Sequence, residues 1–469
     1  MMNNVFYKIS ILALLTLITA GCTVGPDYHL PAEPYQDDKF KRLPEENFSV
    51  SPAVSQWWLA LNDPLLNMLI QTALDDNPDI AIAEARLRQA RASLSREQAN
   101  AYPNVSASGA AVRTRLPDSA GITKNNPLDL YTSAFDASWE LDLFGGTRRA
   151  VEAESAQEQA SAASLSDTHV SIAAEVAKNY LTLCGDRQQL AILRHSVEVQ
   201  QQMLTLTQQR RERGAVSDSD VERLITQLET TRAQISPLEA DISDILDRLA
   251  ALMGKTPGEL DRQLSSAQTL PTLPVNISVG KPADMLRQRP DIRSAERQLA
   301  ASTAQIGEHV ADYFPSVNLF GTLGFSSTGG GPLMAKQNMS WTLVPYLQWH
   351  FLDFGRVKAQ VKIAQAKRDE AQAKWTKTVL EALRDANTSL SRYGHQRVNL
   401  VALARVSRSA ARSSTLMRQR YQAGAASMID LLDTQRSLLS AQQEQVNAQT
   451  QLTIDYVALQ KSLGLGWHV

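Results

Sequence analysis

The chain has 469 residues, with 47 Lys+Arg against 49 Asp+Glu and a formal net charge of -2. That balance excludes a basic nucleic-acid binder held by phosphate contacts and an acidic disordered tail. Two cysteines exclude a disulfide framework and a multi-cysteine metal site. The length suggests more than one compact domain, but aromatics are only 6% and alanine supplies much of the 43% hydrophobic content. Bulky core material is therefore scarce. Past the N-terminus no run of 18 apolar residues occurs, which excludes a helical membrane span.

Residues 1–21 read as a secretory signal: Lys8, the apolar run Ile9 to Ile18, then the small residues Thr19-Ala20-Gly21 before Cys22. A cysteine after small residues resembles a bacterial lipobox, so Cys22 is the expected lipidation site, diacylated on its thiol and palmitate-bearing once mature. Thr19 stands where that pattern usually has Leu. Thr23 at the next position favours the outer membrane over retention in the inner one. Three acyl chains satisfy the requirement of two signals for stable anchoring. Residues 22–76 then form the lipidated N-terminal segment and an equatorial wrap.

The remainder is written twice. Asn77-Pro78-Asp79-Ile80 with Glu84 recurs as Arg289-Pro290-Asp291-Ile292 with Glu296, an offset of 212. Further on the offset is 210, pairing Phe144-Gly145 with Phe354-Gly355, Gly214 with Gly424, Asp220 with Asp430 and Gly254 with Gly464. Repeat 1 spans 77–256, a proline-marked linker 257–288, repeat 2 spans 289–464, and 465–469 form a tail.

Each copy contains one very long helix. Thr147–Arg213 and Arg356–Ala423 contain no proline and a single glycine each, Gly185 and Gly394. At ~1.5 Å per residue such helices reach about 100 Å. Val176, Leu183, Leu190, Val197 and Leu204 keep a spacing of seven, a coiled-coil seam between otherwise wet faces, suited to a thin wall. Residues 77–101 and 218–253 make two shorter helices that together match the long one, and Pro237 is expected to bend the second. Two helical columns per copy and four per chain follow.

Between the helices lie strands, about 104–144 in the first copy and 316–354 in the second. Tyr131, Phe135, Trp139 and Leu141 alternate with Thr132, Asp136 and Glu140. Trp341, Leu343, Leu347, Trp349 and Phe351 alternate with Thr342, Gln348 and His350. An aromatic-rich apolar face against a polar one is the pattern of a membrane β-barrel strand. Four strands cannot close such a barrel, and an open edge in lipid leaves backbone groups unpaired. Copies must be pooled. A dimer gives eight strands and eight columns, a trimer twelve and twelve. Helices ~10 Å apart enclose rings of ~25 Å or ~38 Å across centres. Both conduct; the geometry prefers three copies and leaves two open.

Cys22-Thr23-Val24-Gly25-Pro26-Asp27-Tyr28, Trp57-Trp58 with Asp63-Pro64, the twin Pro-Asp-Ile segments, Leu141-Asp142-Leu143-Phe144-Gly145 and Leu463-Gly464-Leu465-Gly466-Trp467 together resemble the outer-membrane efflux family. The match is to the TolC-like outer membrane factors, in the NodT/OprM lipoprotein branch, over nearly the whole mature chain. The resemblance implies a mainly α fold with membrane β: a homotrimer with a 12-stranded β-barrel in the outer membrane, continued by a long periplasmic α-helical barrel. It implies the exit duct of a tripartite export pump. The partners are a periplasmic membrane-fusion adaptor and an inner-membrane transporter, most often of the RND type. No chemistry and no cofactor are implied.

Both long helices end at glycines, Gly214 and Gly424, followed by Ser217-x-x-Asp220 and Ser427-x-x-Asp430 starts of the next helix. These tips are the expected adaptor-docking positions. Under three-fold symmetry an inward Asp becomes three converging carboxylates, which repel and attract cations, a natural gate. In the resembling family an apolar and an aspartate ring close the aperture; the motif positions fall on Ile429, Asp430 and Asp433. A tyrosine–aspartate link between hairpins falls on Tyr421 and Asp220. The arginine some members place beside that link falls on Ala426. The competing reading makes Asp220 and Asp430 helix caps and Asp433 part of a solvated face.

Other motifs lead nowhere. Gly254-Lys255-Thr256 follows a helix and lacks the upstream glycine of a phosphate loop, where Leu249 stands. No His-x-x-x-His pair or Gly-x-Ser-x-Gly elbow occurs, and Cys184 reads as a small packed residue. An enzyme is not expected. The alternative function is a periplasm-spanning structural coiled-coil lipoprotein, which explains the helices but not the strands. The cargo is not legible.

Overall fold

A computed structural model describes residues 23–32, 39–42, 48–49, 55–115, 127–265, 269–328 and 331–466. Cys22, the signal segment and Trp467 lie outside the described residues. In chain order the elements are β1 (Phe48–Ser49), a 3-10 turn (Trp57–Leu61), α1 (Pro64–Asp76), α2 (Pro78–Asn100), β2 (Asn104–Thr114) and β3 (Leu128–Leu141). The long α3 (Gly146–Glu212), α4 (Asp218–Ala233), α5 (Ile235–Leu252) and the short α6 (Asp261–Leu264) complete the first repeat and enter the linker. Then come β4 (Ile277–Ser278), α7 (Pro282–Gln288), α8 (Pro290–Ala311), β5 (Ser316–Thr328), β6 (Met339–Gln348), the long α9 (Arg356–Gln422) and α10 (Met428–Ser462). Both long helices have 67 residues. Pro237 divides the helix after the first tip: α4 stops at Ala233 and α5 restarts at Ile235, with the proline in the first turn, where its missing N–H costs nothing. In the second copy, which has no proline here, α10 is continuous.

The chain divides into two compact units. The first combines residues up to Ala32 with Arg86–Ala162 and Ser294–Thr376. Its centre is an antiparallel sheet in the order β2-β3-β5-β6, so the strands of the two repeats join through β3 and β5. The register aligns apolar rows across the sheet. Ala107, Phe135, Leu323 and Trp341 form one row, and Trp139, Leu319 and Pro345 another on the same face. The opposite face carries Ser106, Asp136, Thr322 and Thr342, and the Asp136 carboxylate accepts hydrogen bonds from Ser108 (2.6 Å) and Thr322 (2.8 Å). Phe135 and Trp341 are 63% and 74% exposed, so among the described residues nothing covers these side chains of the apolar face. Pairing of β6 ends at Gln348; Trp349 and Phe351, read as strand from the alternation, lie beyond it. Trp349 donates instead to the Tyr313 carbonyl (3.1 Å), as Trp139 does to Ala101 (3.0 Å), the same contact in both repeats.

A strap formed by residues 23–28 is fixed within this unit. Val24 N–H donates to the Phe144 carbonyl (3.1 Å), and the buried Arg149 binds the Val24 carbonyl (3.2 Å), Asp27 (2.6 Å) and Glu152 (2.7 Å). Gly25, at φ +91°, lies directly on Gly307; a Cβ on Gly25 would fall on the Gly307 backbone. Only glycine meets both demands.

The second unit combines Glu33–Ala85, Ala163–Arg293 and Lys377–Val469. Leu61, Leu66, Leu69, Ile70, Leu181, Leu183 and Leu249 are fully buried in it, and Trp57 meets Tyr456 edge to face. Asp63 caps α1 through Leu65 N–H (3.0 Å) and Leu66 N–H (3.1 Å) and accepts from Tyr180 Oη at 2.7 Å. Strand β1 pairs in parallel with β4, which ties residues 48–49 to the linker. Val176, Leu183, Leu190 and Leu204 of the seven-residue seam are buried. The one interior glycine of α3, Gly185, lies where α10 passes: an added Cβ would strike the Thr450 side chain. Gln189 bonds Asn447 along the same line. Cys184 is fully buried, and burial pushes its thiol up to about 12.

One packed polar group has a measurable consequence. Asp186 lines a cavity of about 610 Å³ with Asp241, Asp244, Lys178, Arg248 and Lys461. Burial, with the nearby Asp241 carboxylate, raises its pKa from 3.8 to about 6. The folded state therefore holds this proton over a pH range where the unfolded chain has lost it. The contribution to stability is present below the unfolded value and is lost as pH rises through about 6. Asp186→Asn is expected to raise the melting temperature by about 2 °C at pH 7.5 and to leave it unchanged at pH 4, read by thermal melting in detergent.

Candidate functional site: the hairpin tips

Each long helix ends by the same rule. Gly214, at φ +71°, follows α3, and Gly424, at φ +76°, follows α9, with open space beside each. Ala215 N–H donates to the Arg210 carbonyl (2.9 Å) and Gly214 N–H to Arg211 (2.8 Å). Ala425 N–H to Arg420 (2.8 Å) and Gly424 N–H to Tyr421 (3.0 Å) repeat the pattern. This double closure satisfies the last helical carbonyls and needs a left-handed residue, so glycine is required by conformation alone.

The next helices begin with reciprocal caps. Asp220 N–H donates to Ser217 Oγ (3.3 Å), while Ser217 N–H (3.3 Å) and Oγ–H (2.8 Å) donate to Asp220 Oδ2. Ser427 and Asp430 reproduce the box at 3.2, 3.2 and 2.7 Å. The Ser427 hydroxyl and amide hold the Asp430 carboxyl below its usual range, so it is ionised at neutral pH. Cap and charge are thus the same group: the box fixes where each carboxylate stands.

Around these caps the two hairpins share one apolar cluster: Leu204, Val221, Leu224, Leu228, Met428 and Leu432, with Met203, Ile225 and Tyr421 packed on it. Ile429 points away from the cluster and is 48% exposed. Asp433 is exposed, one turn after Asp430, and among the described residues no side chain pairs with its carboxylate. Ile429, Asp430 and Asp433 therefore stand together on the first turns of α10. Tyr421 and Asp220 are not brought together as a hydrogen-bonded pair within the chain. Asp220 is engaged by Ser217, and the Tyr421 hydroxyl is buried without a partner among the described residues.

Sequence reading missed the arginines here. Arg210 stacks on Tyr421, Arg211 pairs with Asp218 (2.5 Å), and Arg436 donates to Gln227 across the hairpins (2.6 Å). The only available signal was a cluster of arginines in the last turn before a glycine stop, which also suits the negative end of the helix dipole. Among the described residues no group of three or more potential metal ligands occurs, and no helix is long and apolar enough to cross a membrane.

Residues 69–255 and 282–465 match the family model described as outer membrane efflux protein. The chain belongs to the outer membrane efflux protein family. The two matched segments follow the duplication. The chain is 30% identical to nodulation protein T of Rhizobium leguminosarum bv. trifolii, over 97% of this chain and 96% of that one. It is also 30% identical to the toluene efflux pump outer membrane protein TtgC of Pseudomonas putida, over 97% and 95%. The solved outer-membrane channel OprN superposes with a TM-score of 0.89 at 36% identity, covering 95% of this chain and all of that one. The outer-membrane location and the mainly α fold with a small membrane sheet follow from this membership.

The caps carry a direct test. Ser427→Ala removes the hydroxyl that organises Asp430 and is expected to cost about 1 kcal/mol locally. Amide exchange of residues 428–432 is expected to accelerate several-fold, with the body of α9 unchanged.

Proposed function

We propose that three copies of this chain form the exit duct of a tripartite efflux pump, carrying drugs or other small solutes across the outer membrane. The observation that carries this reading is the sheet: four strands, with both edges unpaired and one apolar face largely bare among the described residues. Three such sheets supply twelve strands, which close a barrel wide enough for bulky solutes. Its apolar rows face lipid and its Asp136–Thr322 side faces the lumen. Cys22 carries the lipid anchor, and the strap at residues 23–28 leads directly from it into the sheet-bearing unit.

The tips supply the gate of the duct. Ile429 and the ionised carboxylates of Asp430 and Asp433, repeated by three-fold symmetry, form an apolar and an anionic ring. Like charges held this close attract cations and resist closure unless compensated. The loops Gly214–Ser217 and Gly424–Ser427 are exposed and rigidly capped, a suitable rim for a periplasmic adaptor, with an RND-type transporter beyond it. The duct role needs no catalytic group. A structural coiled-coil lipoprotein leaves the bare apolar rows of the sheet unexplained.

Purified protein in planar bilayers is expected to give discrete, uniform pores, and the double variant Asp430→Asn/Asp433→Asn to increase their open-channel conductance two-fold or more. A silent bilayer at high protein loading would favour the structural reading. Unchanged conductance in the double variant would remove the aspartate ring while leaving the duct.

A further inference from the structure

The final turns of the two long helices meet at one contact that the caps and glycine stops do not require. Arg210 of α3 places its guanidinium carbon 5.5 Å from the centroid of the Tyr421 ring of α9. That ring lies on the apolar cluster shared by the two hairpins, and its hydroxyl is buried without a partner among the described residues. Two neighbouring arginines are engaged elsewhere: Arg211 with Asp218, and Arg420 with the Ala425 carbonyl (3.3 Å). Asp220, the acceptor a phenolic hydroxyl would need, is held by Ser217. Ala426 supplies no charge at all.

We propose that Arg210 is the latch of the periplasmic end: stacked on Tyr421, it ties the first hairpin to the second within each chain and holds Ile429, Asp430 and Asp433 in the closed position. The proposal rests on the gate reading above and names the group that sets its closed state. A cation over an aromatic face is attracted by the ring quadrupole, and the attraction is lost once the cation leaves that face. The apolar cluster beside it is non-directional, so it tolerates one hairpin sliding on the other where the stacked pair does not. A cavity of about 280 Å³, lined by Met203, Leu206, Arg210, Arg418, Tyr421 and Leu431, adjoins the pair and gives the guanidinium room to leave the ring without moving backbone. The latch joins residues of different repeats, so it breaks when the hairpins separate and is untouched when both move together.

This mechanism differs from a tyrosine–aspartate hydrogen bond in what it asks of residue 421. The ring face is essential and the hydroxyl is not, because phenylalanine offers the same quadrupole. Single-channel recording in planar bilayers, at fixed salt and voltage, on Arg210→Ala, Tyr421→Ala, Tyr421→Phe and the Asp430→Asn/Asp433→Asn control tests it. Arg210→Ala and Tyr421→Ala are expected to raise open probability at least about tenfold, since three symmetric contacts act together in one pore. Tyr421→Phe is expected to match the unmodified protein. Opening by Tyr421→Phe to the level of Arg210→Ala would show that the hydroxyl is the link and overturn the latch. So would an Arg210→Ala channel indistinguishable from the unmodified one while the aspartate control opens. If the control and both alanine variants all remain closed, the gate reading itself falls, and the latch with it.

Discussion

A strand edge cannot be left open in hydrocarbon. Each unpaired N–H and C=O there costs several kcal/mol, and no water is present to satisfy it. The sheet has two such edges, β2 and β6, and an apolar face whose Phe135 and Trp341 no other described residue covers. From this single constraint follow the need for sister copies, the closed cylinder they build, and the hollow axis inside it. The long helices are then free to be narrow-striped and polar, because a wall one helix thick has water on both sides and needs only its lateral seams to be apolar.

The duplication makes this economical. Each repeat supplies one hairpin of strands, one long helix and one tip, and the pairing of β3 with β5 joins the repeats into a single sheet. The copies differ most tellingly at the tips. The first tip has Ser219 and Arg223 at the positions of Ile429 and Asp433 in the second, so only one of each pair of hairpins carries the apolar and acidic groups of the proposed gate. The proline that splits α4 from α5 likewise has no counterpart in α10.

Much of this was legible in the amino-acid order, because glycines, capping serines and seven-residue spacing act locally. Gly214 and Gly424 announce a left-handed stop, Ser217 and Ser427 a cap, and Val176 to Leu204 a seam, whatever the rest of the chain does. The alternation over 341–351 overshot the paired strand, since Trp349 and Phe351 are apolar without being in the ladder. What stayed hidden were contacts between residues distant in sequence and bearing no motif. The Gly25–Gly307 crossing, the Arg149 clamp on the strap and the Arg210–Tyr421 stack all depend on which segments the fold brings together. The two readings of Asp220 and Asp430 also needed the structure, which shows the cap geometry and leaves their exposed charge available.

The most direct measurement is the native mass of the particle, released from the membrane in a mild detergent. Three chains per particle is the expected result: the open-edged sheet demands sister copies, and three supply twelve strands. A lone chain, folded and stable with its sheet edges unpaired, would contradict the account at its root.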